Sequence, residues 1–295
     1  MKPKLMLLSL PVIALAGYVA VISTADAATD GIDWKPCGET ENVECGTVSV
    51  PRDWSRPDDD HIDLNMVRHV ATSPDSTIGS LFFNPGGPGV PASGYVGDYA
   101  EQTFSPELLE RFDIIGIDPR GVGDSQQLHC DAPVHDPQVP QYPHSKEEYQ
   151  ELVAHNQKVA DSCDDSMPYL DSVSVAKDFD AVRAALGEST IDYLGQSYGS
   201  LLGTAYAQQF PDRIRTMVLD GVVDHSMSSD DLVIESAAAV ENAFNRFALW
   251  CDTDTDCALH GRDVGDVWDA LLEQATTDPI PVPDGRDLTA DELSY

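Results

Sequence analysis

Basic residues are scarce in this chain. Its 295 residues hold 17 Lys+Arg against 51 Asp+Glu, a formal net charge of −34. Nucleic-acid backbones are bound by clustered cations, so this balance excludes a nucleic-acid binder. Cys-x-x-Cys pairs and clustered histidines are absent too, which removes the usual zinc ligand sets. The aspartates of Cys251-Asp252-Thr253-Asp254-Thr255-Asp256-Cys257 alternate as in a calcium loop. Cys257, however, stands where such a loop needs its sixth-position glycine, and the segment reads as an acidic turn closed by a disulfide. No metal and no cofactor is expected. There is no internal repeat and no low-complexity tract. Outside residues 5–22 no apolar run is long enough to span a bilayer.

Residues 1–27 carry an export pattern. Lys2 and Lys4 precede the apolar stretch 5–22, and Ala25-Asp26-Ala27 forms a small-residue cleavage site. The stretch is long for a signal peptide, so an uncleaved anchor is the alternative. No cysteine lies near the cleavage site, which argues against a lipid anchor. A secreted protein is expected, without stable membrane association after cleavage, or held at the cell envelope if the segment is retained. All six cysteines follow the signal: Cys37, Cys45, Cys130, Cys163, Cys251 and Cys257. An even count behind an export signal implies disulfides. Sequence neighbours are the economical pairing: Cys37–Cys45, Cys130–Cys163 and Cys251–Cys257.

Strand and helix patterns alternate along the rest. Residues 43–50 and 62–70 read as a hairpin around the turn Pro57-Asp58-Asp59-Asp60, with Ile62, Leu64 and Met66 alternating with polar neighbours. Strands follow at 79–83 and 112–118, polar and amphipathic helices at 146–163 and 174–186, a strand at 191–194, a helix to about 210 and a strand at 214–219. Segments 230–249 and 264–275 read as helices whose Phe244, Phe247, Trp250 and Trp268 are core candidates. Such alternation specifies an α/β fold with a mostly parallel sheet and helices on both faces.

Three motifs lie on this frame. Gly195-Gln196-Ser197-Tyr198-Gly199 sits between a strand and a helix. Gly-x-Ser-x-Gly in that setting is a nucleophile elbow, with Ser197 at the tip and the helix N-terminus favouring developing negative charge. The plain alternative is a surface turn. Upstream, Gly79-Ser80-Leu81-Phe82-Phe83 runs into Asn84-Pro85-Gly86-Gly87-Pro88-Gly89. A glycine turn after the third strand supplies one backbone donor to an oxyanion. Pro88 has no N–H, so Gly86 or Gly87 donates, with Gly87 preferred; the second donor is the N–H of Tyr198. Third, Phe112-Asp113-Ile114-Ile115-Gly116-Ile117-Asp118 leads into Pro119-Arg120-Gly121-Val122-Gly123-Asp124-Ser125. Asp118, Arg120 and Ser125 are structural candidates there, holding a rigid loop.

In this order the motifs resemble the α/β-hydrolase serine peptidases of the prolyl and tripeptidyl aminopeptidase family, and most of all its secreted actinobacterial branch. The run Ile214-Arg215-Thr216-Met217-Val218-Leu219-Asp220-Gly221-Val222 and the Trp250-Cys251…Cys257 segment carry the resemblance further, over residues 32–275. One departure is visible: Val90-Pro91-Ala92 intervene before Ser93-Gly94, where the family has Ser-Gly sooner after the glycine turn.

The resemblance implies an α/β-hydrolase fold in which residues 28–224 form the N-terminal part of the core and 225–295 the start of a helical lid. It implies a peptide substrate, with di- or tripeptides cut from free N-termini through an acyl-enzyme on Ser197. It also implies lid acids that hold the substrate's amino terminus, with Glu235 and Glu241 as candidates beside the plainer option of a solvated helix face. In this fold the triad runs Ser, Asp or Glu, then His, and in the family the last two come after the lid. Only His225 and His260 follow Ser197, and both come early. The expectation is therefore a C-terminally truncated chain with its last strands and its acid and base missing. A triad of Asp220 with His225 or His260 is the alternative. An esterase or lipase of the same fold, or a non-catalytic secreted remnant, are the competing functions.

Overall fold

Apolar alternation and β-branched runs produce a main sheet of seven strands among the described residues, beside a two-stranded sheet of Ile280–Pro281 with Asp287–Leu288. The computed structural model describes residues 31–38, 40–136, 138–165, 167–282 and 287–294. The signal segment expected over residues 1–27 lies outside the described residues. In chain order the strands are β1 (Lys35–Pro36), β2 (Val43–Pro51), β3 (His61–His69), β4 (Gly79–Asn84), β5 (Phe112–Ile117), β6 (Ile191–Gln196) and β7 (Ile214–Asp220). The two-residue β1 was not foreseen, so the expected third strand is β4. Their order across the sheet is β1-β2-β3-β5-β4-β6-β7. Pairing is antiparallel from β1 to β5 and parallel from β5 through β4 and β6 to β7.

The helices are α1 (Ala92–Gly97), α2 (Ala100–Thr103), α3 (Pro106–Arg111), α4 (Lys146–Ser162), α5 (Ser172–Ala185), α6 (Tyr198–Gln209), α7 (Ser229–Thr253) and α8 (Val264–Thr277). The first three are too short to show a helical period, so sequence patterning leaves them unmarked. Helix α5 starts ahead of its expected Ser174 because Asp171 caps it, accepting from the N–H groups of Val173 and Ser174.

Successive side chains of a strand point to opposite faces, and each face of this sheet has its own cover. Phe82, Ile115 and Ile117 pack with Val175, Phe179 and Val182 of α5 and with Leu202 and Tyr206 of α6. Phe83 and Ile114 pack on the other face with Val96, Ala100, Phe104 and Leu109 from α1 to α3. Burying each such side chain stabilises the fold by about 1.5–3 kcal/mol relative to exposure.

A buried ion pair ties the loop after β5 to α5. Arg120 donates from Nε to Asp178 Oδ2 at 2.7 Å and from Nη2 to Asp178 Oδ1 at 2.6 Å. Its other donors reach the carbonyls of Pro51, Arg52 and Tyr169, and Trp54 Nε1 donates to Asp178 at 3.0 Å. Burial pushes the Asp178 carboxyl up from its usual range, and the two Arg120 bonds pull it back.

The cysteines are joined as sequence neighbours: Cys37–Cys45, Cys130–Cys163 and Cys251–Cys257. Beyond the sheet, Cys251, Cys257 and Val264 form a small core with Phe244, whose ring lies 6.1 Å from that of Trp268. Phe247 and Trp250 differ from the expectation. They are 43% and 45% exposed, because they lie on a face of α7 that no described element covers. No helix among the described residues is long and apolar enough to cross a membrane.

Candidate active site

Strand β6 runs straight into α6 through one residue. Ser197 takes φ 52° and ψ −123°, a conformation that a non-glycine residue adopts only under local constraint. The flanking glycines make this turn sterically open. A Cβ at Gly195 would come within 2.6 Å of Tyr193 Cε1, and one at Gly199 within 2.9 Å of Asn84 Oδ1. The Ser197 N–H donates to Asp220 O at 2.8 Å. Its carbonyl accepts from Ser200 Oγ at 2.6 Å. Tyr193 donates its hydroxyl to Gly199 O at 2.7 Å; burial pushes that phenol up, which keeps it a neutral donor. Ser197 itself is exposed.

Parallel pairing brings the glycine turn to the same end of the sheet, with Asn84 opposite Gly195. Gly86 has φ +94°, and a Cβ there would lie 2.8 Å from Tyr198 N and 3.1 Å from Ser197 Cβ, so the turn presses on the elbow. The Gly86 N–H is already committed to Asn84 Oδ1 at 3.0 Å. Among the described residues the N–H groups of Gly87 and Tyr198 have no acceptor. The Ser197 hydroxyl likewise has no partner among them.

Ser125 donates from Oγ to Asp118 O at 2.7 Å and accepts from Asn65 N at 2.8 Å, which locks the loop after β5. Neither later histidine bonds to Ser197 among the described residues. His225 Nε2 lies 3.5 Å from Gln208 Nε2, near the far end of α6. Eleven positions past Ser197 at about 1.5 Å each, this contact sits roughly 16 Å along the helix. His260 Nδ1 is 2.9 Å from Cys251 O, at the end of α7. Asp220 sits beside Gln196 in register, but its side chain meets neither histidine among the described residues. No group of three potential metal ligands exists among them either.

A groove of about 800 Å³ opens beside the elbow, lined by Val222, Asp224, Asp231, Leu232, Ile234 and Glu235 among others. Val223 donates its N–H to Ser200 Oγ at 2.9 Å, which puts the groove wall against the first turn of α6. Glu235 faces this groove; Glu241 does not line it and instead accepts from Asn245 at 3.1 Å. Asn84 and Ser93, both bonded around the glycine turn, carry no functional motif of their own in the sequence. A signal existed for Asn84, since a polar residue ends an otherwise apolar buried strand.

A mixed sheet of this order, with a strained serine between strand and helix and a glycine turn pressed on it, defines the α/β-hydrolase class. Residues 79–282 match the alpha/beta hydrolase fold family, and the chain belongs to it. Among its relatives, serine protease Hip1 of Mycobacterium tuberculosis is 35% identical over 86% of this chain and 51% of its own. Tripeptidyl aminopeptidase of Streptomyces lividans is 33% identical over 88% of this chain and 52% of its own. Carboxylesterase B of Mycobacterium tuberculosis is 35% identical over 89% and 52%. The chain thus spans about half the length of the curated relatives it matches.

Proposed function

We propose that this chain carries the nucleophile of an exported serine hydrolase, an aminopeptidase releasing di- or tripeptides from free N-termini. The observation that carries this is the Ser197 elbow with Gly86 pressed against it. In this mechanism Ser197 Oγ attacks the scissile carbonyl, and the N–H groups of Gly87 and Tyr198 receive the oxygen as it becomes negative. Because Gly86 is committed to Asn84, Gly87 is the free donor of the pair. The acyl-enzyme then yields to water. The general base is neither His225 nor His260, since neither reaches the serine. Residues 28–224 act as core and 225–295 as a lid, whose Glu235 suits a cationic amino terminus in the groove beside Ser197.

The relatives support peptide cleavage through the names serine protease and tripeptidyl aminopeptidase. The name carboxylesterase B supports an esterase as the second reading. Export is supported by the three disulfides. The deciding experiment gives full-length protein, with whatever follows residue 295 in its gene, tripeptidyl-nitroanilides and p-nitrophenyl esters. Turnover of the anilides, lost in Ser197→Ala, is the expected result. Turnover of the esters alone overturns the peptidase.

A further inference from the structure

We propose that Asn84 and Asp118 are positioning residues that clamp the two ends of the glycine turn and so hold the Gly87 N–H where an oxyanion forms. The proposal rests on Ser197 being the nucleophile.

The first clamp is Asn84, the last residue of β4 and 1% exposed. Its Oδ1 accepts the Gly86 N–H at 3.0 Å. Its carbonyl group also lies where a Cβ on Gly199 would stand, so Asn84 sits under the first turn of α6 and against the glycine turn at once. Its Nδ2 is buried without a partner. A buried orphan donor costs about 1–3 kcal/mol. Leucine has the same branching, though more bulk, and would carry no orphan donor. What asparagine offers in exchange is the single acceptor for Gly86, which turns the next N–H, that of Gly87, away from the protein.

The second clamp is Asp118, at the end of β5 and 1% exposed. Asp118 Oδ1 accepts from Ser93 N at 3.0 Å, and Oδ2 from Ser93 Oγ at 3.0 Å and Asn65 Nδ2 at 3.1 Å. Ser93 lies in the first turn of α1, where the chain leaves the glycine turn. The turn is thus tied at Gly86 to its own strand and at Ser93 to the neighbouring strand. Both ties use a side chain that is itself buried, Asn84 and Asp118, and hydrogen bonds are stronger away from water. A donor preorganised this way need not reorganise as charge develops.

The test uses the full chain with Asn84→Leu and, as a milder change, Ser93→Ala. Two quantities are read: hydrogen exchange of the Gly86 amide, the bonded amide of the turn, and the fluorophosphonate inactivation of Ser197, resolved into kinact and KI. In Asn84→Leu the Gly86 amide should exchange about ten-fold faster or more, while the β4 and β6 amides keep their protection. The kinact should fall at least about ten-fold, a part of the 10²–10³ typical of deleting an oxyanion donor outright, with KI unchanged. Ser93→Ala should move both readouts in the same direction by less. Unchanged turn exchange in both variants overturns the clamp. Faster exchange with unchanged kinact overturns its catalytic meaning. Absence of any wild-type labelling removes Ser197 as nucleophile and the catalytic meaning with it, and exchange alone then decides the clamp.

Discussion

Ser197 donates its main-chain N–H to the carbonyl oxygen of Asp220 across 2.8 Å. The strained elbow is therefore braced by the end of the neighbouring strand β7. That strand is the edge of the described sheet, and its Val218 is 56% exposed. An unpaired strand edge is a template for association.

In the full-length protein Ser197 should be the only site modified by a fluorophosphonate probe, and Ser197→Ala should abolish labelling. Residues 1–295 alone should show no more tripeptidyl-nitroanilide turnover than Ser197→Ala. A serine hydroxyl without a base is a weak nucleophile, and an oxyanion hole by itself retains a small part of the rate. Full serine-dependent turnover would bring His225 or His260 back as the base.

Gly199→Ala should disrupt the elbow. Its Cβ would press into the main chain and side chain of Asn84, and overpacking of that kind costs about 1–3 kcal/mol. Urea unfolding should show the loss, and Ser197 labelling should drop in the folded fraction. Wild-type labelling in this variant would show that the turn has slack.

Asp178→Ala should be among the most damaging single changes. It leaves the buried Arg120 guanidinium uncompensated, at a cost of about 3–5 kcal/mol. Asp178→Leu combined with Arg120→Met should recover a large part of this, measured as the urea midpoint. A double variant as unstable as the single one would mean that the pair's bonds to Pro51, Arg52 and Trp54 matter more than its charge.

His69 should make stability fall with acid. It is 5% exposed with Nδ1 unpartnered, and burial lowers its pKa from the ordinary value against the opposing pull of Glu101 and Asp113. The neutral ring is the folded form. Above about pH 6.5 both folded and unfolded chains hold it neutral, so the contribution is intact. As pH drops below that value the unfolded chain takes the proton first, and stability declines toward the folded pKa. His69→Phe should lessen the decline in urea midpoint between pH 7.5 and 5.5. An identical slope in both proteins would show that His69 is not its source.

Mature protein measured without reductant should weigh six hydrogens less than the reduced form, from three disulfides. Opening Cys130–Cys163, which closes the longest loop with a separation of 33 residues, should cost up to about 4 kcal/mol by the loop-entropy relation. Free thiols in the native state would refute the pairing.

Much of this molecule was legible in its sequence. Ile62, Leu64 and Met66 could be assigned to one strand face by period alone, and Gly195, Ser197 and Gly199 to an elbow, because strand alternation and tight turns restrict which residues fit. The apolar run of β4 followed by glycines marked the donor turn for the same reason. These are local constraints, acting over a few residues.

What the tertiary structure alone decided lies in long-range contact. Parallel pairing of β4 with β6 set Asn84 opposite Gly195 across 111 positions of chain, and so brought the glycine turn against the elbow. Asp118 became the anchor of Ser93, and Asp178 the partner of Arg120 across 58 positions. The core role expected of Phe247 and Trp250 failed likewise, because helical spacing identifies an apolar face but only the packing of other elements can cover it.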